Sequence, residues 1–133
     1  MSWFLDTNIC IYLLKGLYPG LRERLISKKP SDIKIPSIVL AELYVGSEIS
    51  EEPAEISTSI AAFAGQFEIV PFDERAAIKY GKIRAGLIKN KLKVGPNDLA
   101  IAATIMSRDG ILVTNNEKDF SRIDKLMTEN WTV

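Results

Sequence analysis

Trp3-Phe4-Leu5-Asp6-Thr7-Asn8 is the stretch that decides the fold. Its apolar residues read as a short buried strand centred on Phe4-Leu5, and the run stops on a carboxylate. Asn8 is suited to cap a helix over about Ile9 to Lys15, because its side chain can accept an orphan amide hydrogen at the helix start. A strand that ends on an acid and turns into a helix puts charge at the mouth of the fold. Pro96-Asn97-Asp98 repeats the idea, with an acid ahead of the apolar run Leu99 to Met106.

Working outward, strands and helices alternate. Leu21 to Ser27 reads as a second helix and Ile33-Lys34-Ile35 as a second strand. Pro36 then opens a helix over Ser37 to Ser47. Glu51-Glu52-Pro53 breaks the chain before an Ala-rich helix, Ala54 to Gln66, and Glu68-Ile69-Val70 is a third strand. Asp73 caps a long helix from Glu74 to about Asn90, with Ala76, Tyr80, Ile83 and Leu87 on one face. Asp98 begins a mostly apolar helix that Gly110 can end. Ile111 to Thr114 is a fourth strand, and Trp131-Thr132-Val133 is a candidate edge strand. This alternation implies an α/β fold: a parallel sheet of four to five strands, covered by helices on both faces.

The chain has 133 residues, a length that suits a single domain spanning 1–133. Hydrophobic residues make up 47% and charged residues 26%, as in globular proteins. Formal net charge is zero, so any nucleic-acid binding must rest on a local patch or a metal and not on a uniform field. The lone Cys10 excludes an internal disulfide and fits a reducing compartment. Neither a basic leader nor a membrane span is legible, so a cytoplasmic protein is expected.

Four acids fall where an open parallel sheet builds its site, beyond the carboxyl ends of its strands. Asp6 follows the first strand, Glu42 lies about two turns into the helix after the second, Asp98 starts the helix feeding the fourth, and Asp119 follows the fourth. Several carboxylates brought together raise one another's pKa, and a divalent Mg²⁺ or Mn²⁺ relieves the repulsion. The chain contains no histidine, which removes an imidazole base and a His zinc site. Such an ion suits phosphodiester hydrolysis. Thr7, Asn8, Thr114 and Asn116 are placed to orient carboxylates or water. Each acid also has a plainer reading. Asp98 can be a helix cap, Glu42 can pair with Arg84, and Glu117 and Asp124 compete with Asp119.

Between Lys79 and Lys93 the chain has six basic residues, including Lys82, Arg84 and Lys93, and no acid. This stretch leads straight to Asp98 and offers a positive border for a phosphate backbone, or a solvated helix face. Arg84 falls on the flank of the apolar face, where it can contact phosphate or orient a carboxylate. Arg22, Arg24, Lys28 and Lys29 form a second basic cluster.

Four segments, in order, resemble the PIN-domain family and most closely its VapC-type ribonuclease toxins. They are Leu5-Asp6-Thr7-Asn8; Ile35 to Leu43, containing Pro36-Ser37 and Ala41-Glu42; Ile83-Arg84-Ala85 with Gly95 to Ala103; and Leu112-Val113-Thr114-Asn115-Asn116 running into Asp119-Phe120. The resemblance implies a three-layer sandwich around a mainly parallel sheet. It also implies a metal-dependent endoribonuclease with Asp6, Glu42 and Asp98 as core acids and Asp119 in the place of a fourth. Asn116 stands where other PIN proteins carry Asp, which favours one tightly held ion. A homodimer, a cognate antitoxin that blocks the acidic pocket, and a structured RNA target, often tRNA, are implied in the same way. Two other readings compete. One is an aspartyl-nucleophile phosphatase using Asp6, although Asn8 stands where that chemistry wants a second acid. The other is a non-enzymatic interaction module whose acids bind a basic partner segment.

Overall fold

The computed structural model describes residues 1–133. Five strands, β1 (Trp3–Leu5), β2 (Ile33–Pro36), β3 (Glu68–Val70), β4 (Ile111–Val113) and β5 (Met127–Glu129), form one sheet in the order β3-β2-β1-β4-β5. Every pairing is parallel. Parallel neighbours need crossovers, and seven helices supply them: α1 (Thr7–Lys15), α2 (Pro19–Ile26), α3 (Ser37–Glu48), α4 (Pro53–Ala64), α5 (Glu74–Lys89), α6 (Pro96–Met106) and α7 (Glu117–Phe120). The chain steps from β1 outward to β2 and β3, then returns past β1 to β4 and β5. This reversal leaves a crevice at the carboxyl ends of β1 and β4, the place where such sheets carry their sites.

The core is one cluster. Phe4, Leu5, Ile33, Ile35, Leu112 and Val113 supply the sheet side, and Ile9, Val39, Leu43, Ile60, Leu87, Leu99 and Ile105 supply the helix side. Helix α6 is buried from Leu99 through Ile105 except for half-buried Ala100, so it is the central helix that its sequence suggests. No helix is long and apolar enough to cross a membrane.

Four local expectations are corrected. Asp6, not Asn8, caps α1: its Oδ1 accepts the Ile9 amide hydrogen at 2.8 Å, and Asn8 is exposed within the first turn. Helix α6 starts at Pro96, whose fixed φ and missing N–H suit a first helical position, so Asp98 lies inside the first turn and is no cap. Gly110 does not end α6. The helix closes at Ser107, and Asp109 takes the left-handed conformation with φ 53°. Gly110 is needed because a Cβ there would overlap the edge of the Phe4 ring. The fifth strand is Met127–Glu129, not Trp131–Val133. Its place is set by pairing with β4, while Trp131 is buried against the core. Asp73 caps α5 as expected, accepting from Ala76 N.

Candidate active site

Each acid reaches the crevice from a different element. The Asp6 amide continues the β1–β4 ladder by donating to Val113 O at 3.1 Å, which fixes its backbone at the end of β1. Its side chain turns into a cleft of about 200 Å³ that Thr7, Asn8, Glu42, Asp98 and Asn116 also line. Glu42 comes from the sixth position of α3 and Asp98 from the first turn of α6. The three carboxylates lie 36 and 56 residues apart in the chain, and the sheet brings them to one wall.

The electrostatics of this cleft are unfavourable for the acids alone. Asp6 is 6% exposed, and its pKa is raised from 3.8 to about 6. Burial is the main cause, and the charges of Asp98 and Glu42 add to it. Hydrogen bonds from the Thr114 hydroxyl and the Ile9 amide act in the opposite sense. The Asp98 carboxyl is also raised, by partial burial first and then by the Glu42 and Asp119 charges. No lysine or arginine offsets these charges. The ion pairs of the protein join Arg24 to Glu129, and Lys34 and Arg108 to Glu68.

Neutral groups hold the acids in place. The Thr7 hydroxyl donates to Glu42 Oε1 at 2.6 Å, and Asn97 Nδ2 donates to Glu42 Oε2 at 3.3 Å. Glu42 is therefore not paired with Arg84, which is exposed and lines a different cavity. Thr114 is fully buried and has two tasks, since its hydroxyl bonds Asp6 and accepts the Asn116 amide at 2.9 Å. Asn116 Nδ2 donates to Asp119 Oδ2 at 3.1 Å. Asp119 thus stands one residue behind the cleft wall, within electrostatic reach of Asp98. Its competitors point elsewhere: Glu117 is exposed and accepts from Thr128, and Asp124 is exposed. Asn97 is the contributor that sequence reasoning leaves without a role. Its signal is a short amide immediately before Asp98.

The donors facing the cleft are oxygens and amide groups, a set suited to a hard divalent cation. As the side chains stand, no three acids close around one ion. Cys10 is buried in the core, and burial pushes its thiol well above the usual range, so it is packing material and not a nucleophile. Of the three basic residues considered for RNA contact, Arg84 and Lys93 line one cavity at the junction of α5 and α6, and Lys82 is exposed outside it.

Residues 3–126 match the PIN domain. The chain belongs to the PIN-domain family. The PIN match covers every element from β1 to the loop before β5, all four acids included. Among relatives of this PIN protein, the tRNA(fMet)-specific endonuclease VapC of Shigella flexneri is 37% identical over 132 residues, covering 99% of both chains. Among solved structures, the DNA-bound VapBC complex of Salmonella typhimurium contains a chain that superposes with a TM-score of 0.93 at 37% identity, covering 98% of both chains. VapBC2 of Rickettsia felis, bound to a DNA fragment from its promoter, superposes with a TM-score of 0.90 at 36% identity, covering 98% of this chain and 99% of that one. The parallel-sheet fold is thus shared with these solved structures over nearly the whole of both chains.

Proposed function

We propose that this protein is a metal-dependent endoribonuclease and the toxin of a type II toxin–antitoxin pair. One observation carries the reading: Asp6, Glu42 and Asp98 line a single cleft with no cationic side chain to offset them. Carboxylates whose pKa values are raised by burial and by one another are costly to keep, and a divalent ion turns that cost into a binding site. Asp6, Glu42 and Asp98 would hold Mg²⁺ or Mn²⁺, with Asp119 adding charge from behind through Asn116. When bound, the ion supplies charge neutralisation at a phosphate and a lowered pKa for water.

The side chains do the positioning. The Ile9 amide holds Asp6 Oδ1, and the buried Thr114 favours its ionised form. Thr7 and Asn97 clamp both oxygens of Glu42, so its carboxylate is fixed before substrate arrives. Asn8 and Asn97 are exposed amides at the rim, suited to contact the sugar–phosphate strand.

RNA is the substrate, and tRNA is the class to test first, given the name of the Shigella relative. A cognate antitoxin is the proposed partner because the solved neighbours are toxin–antitoxin complexes. A homodimer and a cytoplasmic location complete the reading. Purified protein should cut bulk tRNA with Mg²⁺ or Mn²⁺ and stop with EDTA. Asp98→Asn should reduce cutting to background while circular dichroism shows an unchanged fold. Full cleavage by that variant would refute the assignment.

A further inference from the structure

A cavity of about 600 Å³ at the junction of α5 and α6 has no part in the chemistry above. Its wall is aliphatic, from Leu92 and Val94 among others, and its cations are Arg84, Lys91 and Lys93. None of these three side chains takes part in an ion pair. Two members of the second basic cluster, Arg24 and Lys28, are already engaged. The Lys28 ammonium lies 4.4 Å from the centre of the Trp3 ring, and the Arg24 guanidinium 5.5 Å from that of Trp131. The α5–α6 cations are unpaired and gathered around one cavity.

Their placement is fixed by the backbone. Lys91 sits at φ 56°, where the end of α5 turns back, a position usually given to glycine. Arg122 Nη1 donates to Lys93 O at 2.9 Å, which pins the connector and brings a fourth cation to its edge. Gly95 lines this cavity and Asp98 lines the acid cleft. Three residues of helix separate them by about 4.5 Å along the axis. In a stacked duplex one nucleotide advances its strand by about 3.4 Å along the axis, and an unstacked strand advances farther. A strand seated in the cavity would thus reach the acids within one or two nucleotides.

We propose that this cavity seats a nucleotide of the RNA substrate next to the cut, its phosphate among Arg84, Lys91 and Lys93 and its base against Leu92 and Val94. The proposal rests on the ribonuclease reading of the acid cleft. A nucleotide carries a charge and a flat, weakly polar face in one unit, and the cavity presents the complement of both. The site is a binding element, so it acts on affinity and not on the chemical step.

The test compares wild type with the R84A/K91A/K93A variant of the full chain on bulk tRNA in Mg²⁺, at several salt concentrations. All three residues are exposed, so the fold should survive, and a melting curve checks it. KM should rise several-fold with kcat nearly unchanged. The slope of log(kcat/KM) against log salt should flatten by about 0.7 to 0.9 for each phosphate that the variant no longer neutralises. The charge-preserving R84K/K91R/K93R variant should recover most of both, and K29A should alter neither. An active wild type with an unaffected triple-alanine variant would overturn the proposal and leave the ribonuclease reading intact. If that variant instead loses retention of a polyglutamate peptide, the cavity belongs to a protein segment. A wild type that cuts no RNA would remove both.

Discussion

Replacing Asp6 by Asn takes a charge out of the core while leaving the cap of α1 in place. Asn caps helices as well as Asp does, so the bond to the Ile9 amide survives. What disappears is the ionisation. The pKa of Asp6 lies at about 6 in the folded protein against 3.8 unperturbed. At about 1.4 kcal/mol per unit, ionised Asp6 costs the metal-free fold about 3 kcal/mol. The sign follows from proton binding. Below pH 3.8 the carboxyl is protonated in both states and costs nothing. Between 3.8 and about 6 the folded state holds the proton longer, so stability falls as pH rises. Above that window the full penalty persists. In EDTA at pH 8, Asp6→Asn should therefore melt higher than wild type, by roughly 10 °C for a domain of this size. At pH 4 the gap should close. Millimolar Mg²⁺ should raise the wild-type midpoint by preferential binding and do little for the variant. Differential scanning calorimetry reads all of this. A variant that melts at or below wild type at pH 8, or a gap that does not shrink with acid, would refute a cleft built on strained carboxylates.

Other perturbations test the supports of the site. Thr114→Val removes a hydrogen bond that lowers the Asp6 pKa, so the acidic limb of the pH–activity profile should move upward. Activity at pH 7 should fall about 10–100-fold and recover in part at higher pH, whereas a purely structural defect would depress all pH values alike. Gly110→Ala forces a methyl group against the Phe4 ring and should lower stability by about 1–3 kcal/mol in urea denaturation. Trp131→Ala empties a fully buried site beside Trp3 and should cost about 3–5 kcal/mol by the same measurement.

Much of the fold is legible in the sequence because apolar runs and breakers coincide with burial. β1, β2, β3 and β4 are each marked by short apolar or alternating segments, and Asp73 announces α5. β5 is not legible. Met127-Thr128-Glu129 has no strand signature of its own, and its conformation comes from bonding to β4, including Thr114 N to Glu129 O at 3.0 Å. Trp131 misleads for a related reason, since an aromatic near a chain end suits an edge strand as well as a core plug. At the site, the convergence of Asp6, Glu42 and Asp98 on one cleft is readable from strand ends. Their partners are not, because Thr7 and Asn97 meet Glu42 across 35 and 55 residues. Capping and site membership compete as readings of a single acid when only the sequence is in view. Asp6 does both, since a carboxylate has two oxygens and only Oδ1 is engaged by the helix.

The burial of α6 sets how the protein can be switched off. The helix that carries Asp98 is also the one most deeply enclosed, so its amides from Leu99 onward should exchange with solvent only on complete unfolding. Local loosening is then no route to an idle state, because the piece that would have to open is the piece that holds everything together. Control of such a molecule falls to whatever plugs the cleft from outside, or to its destruction as a whole.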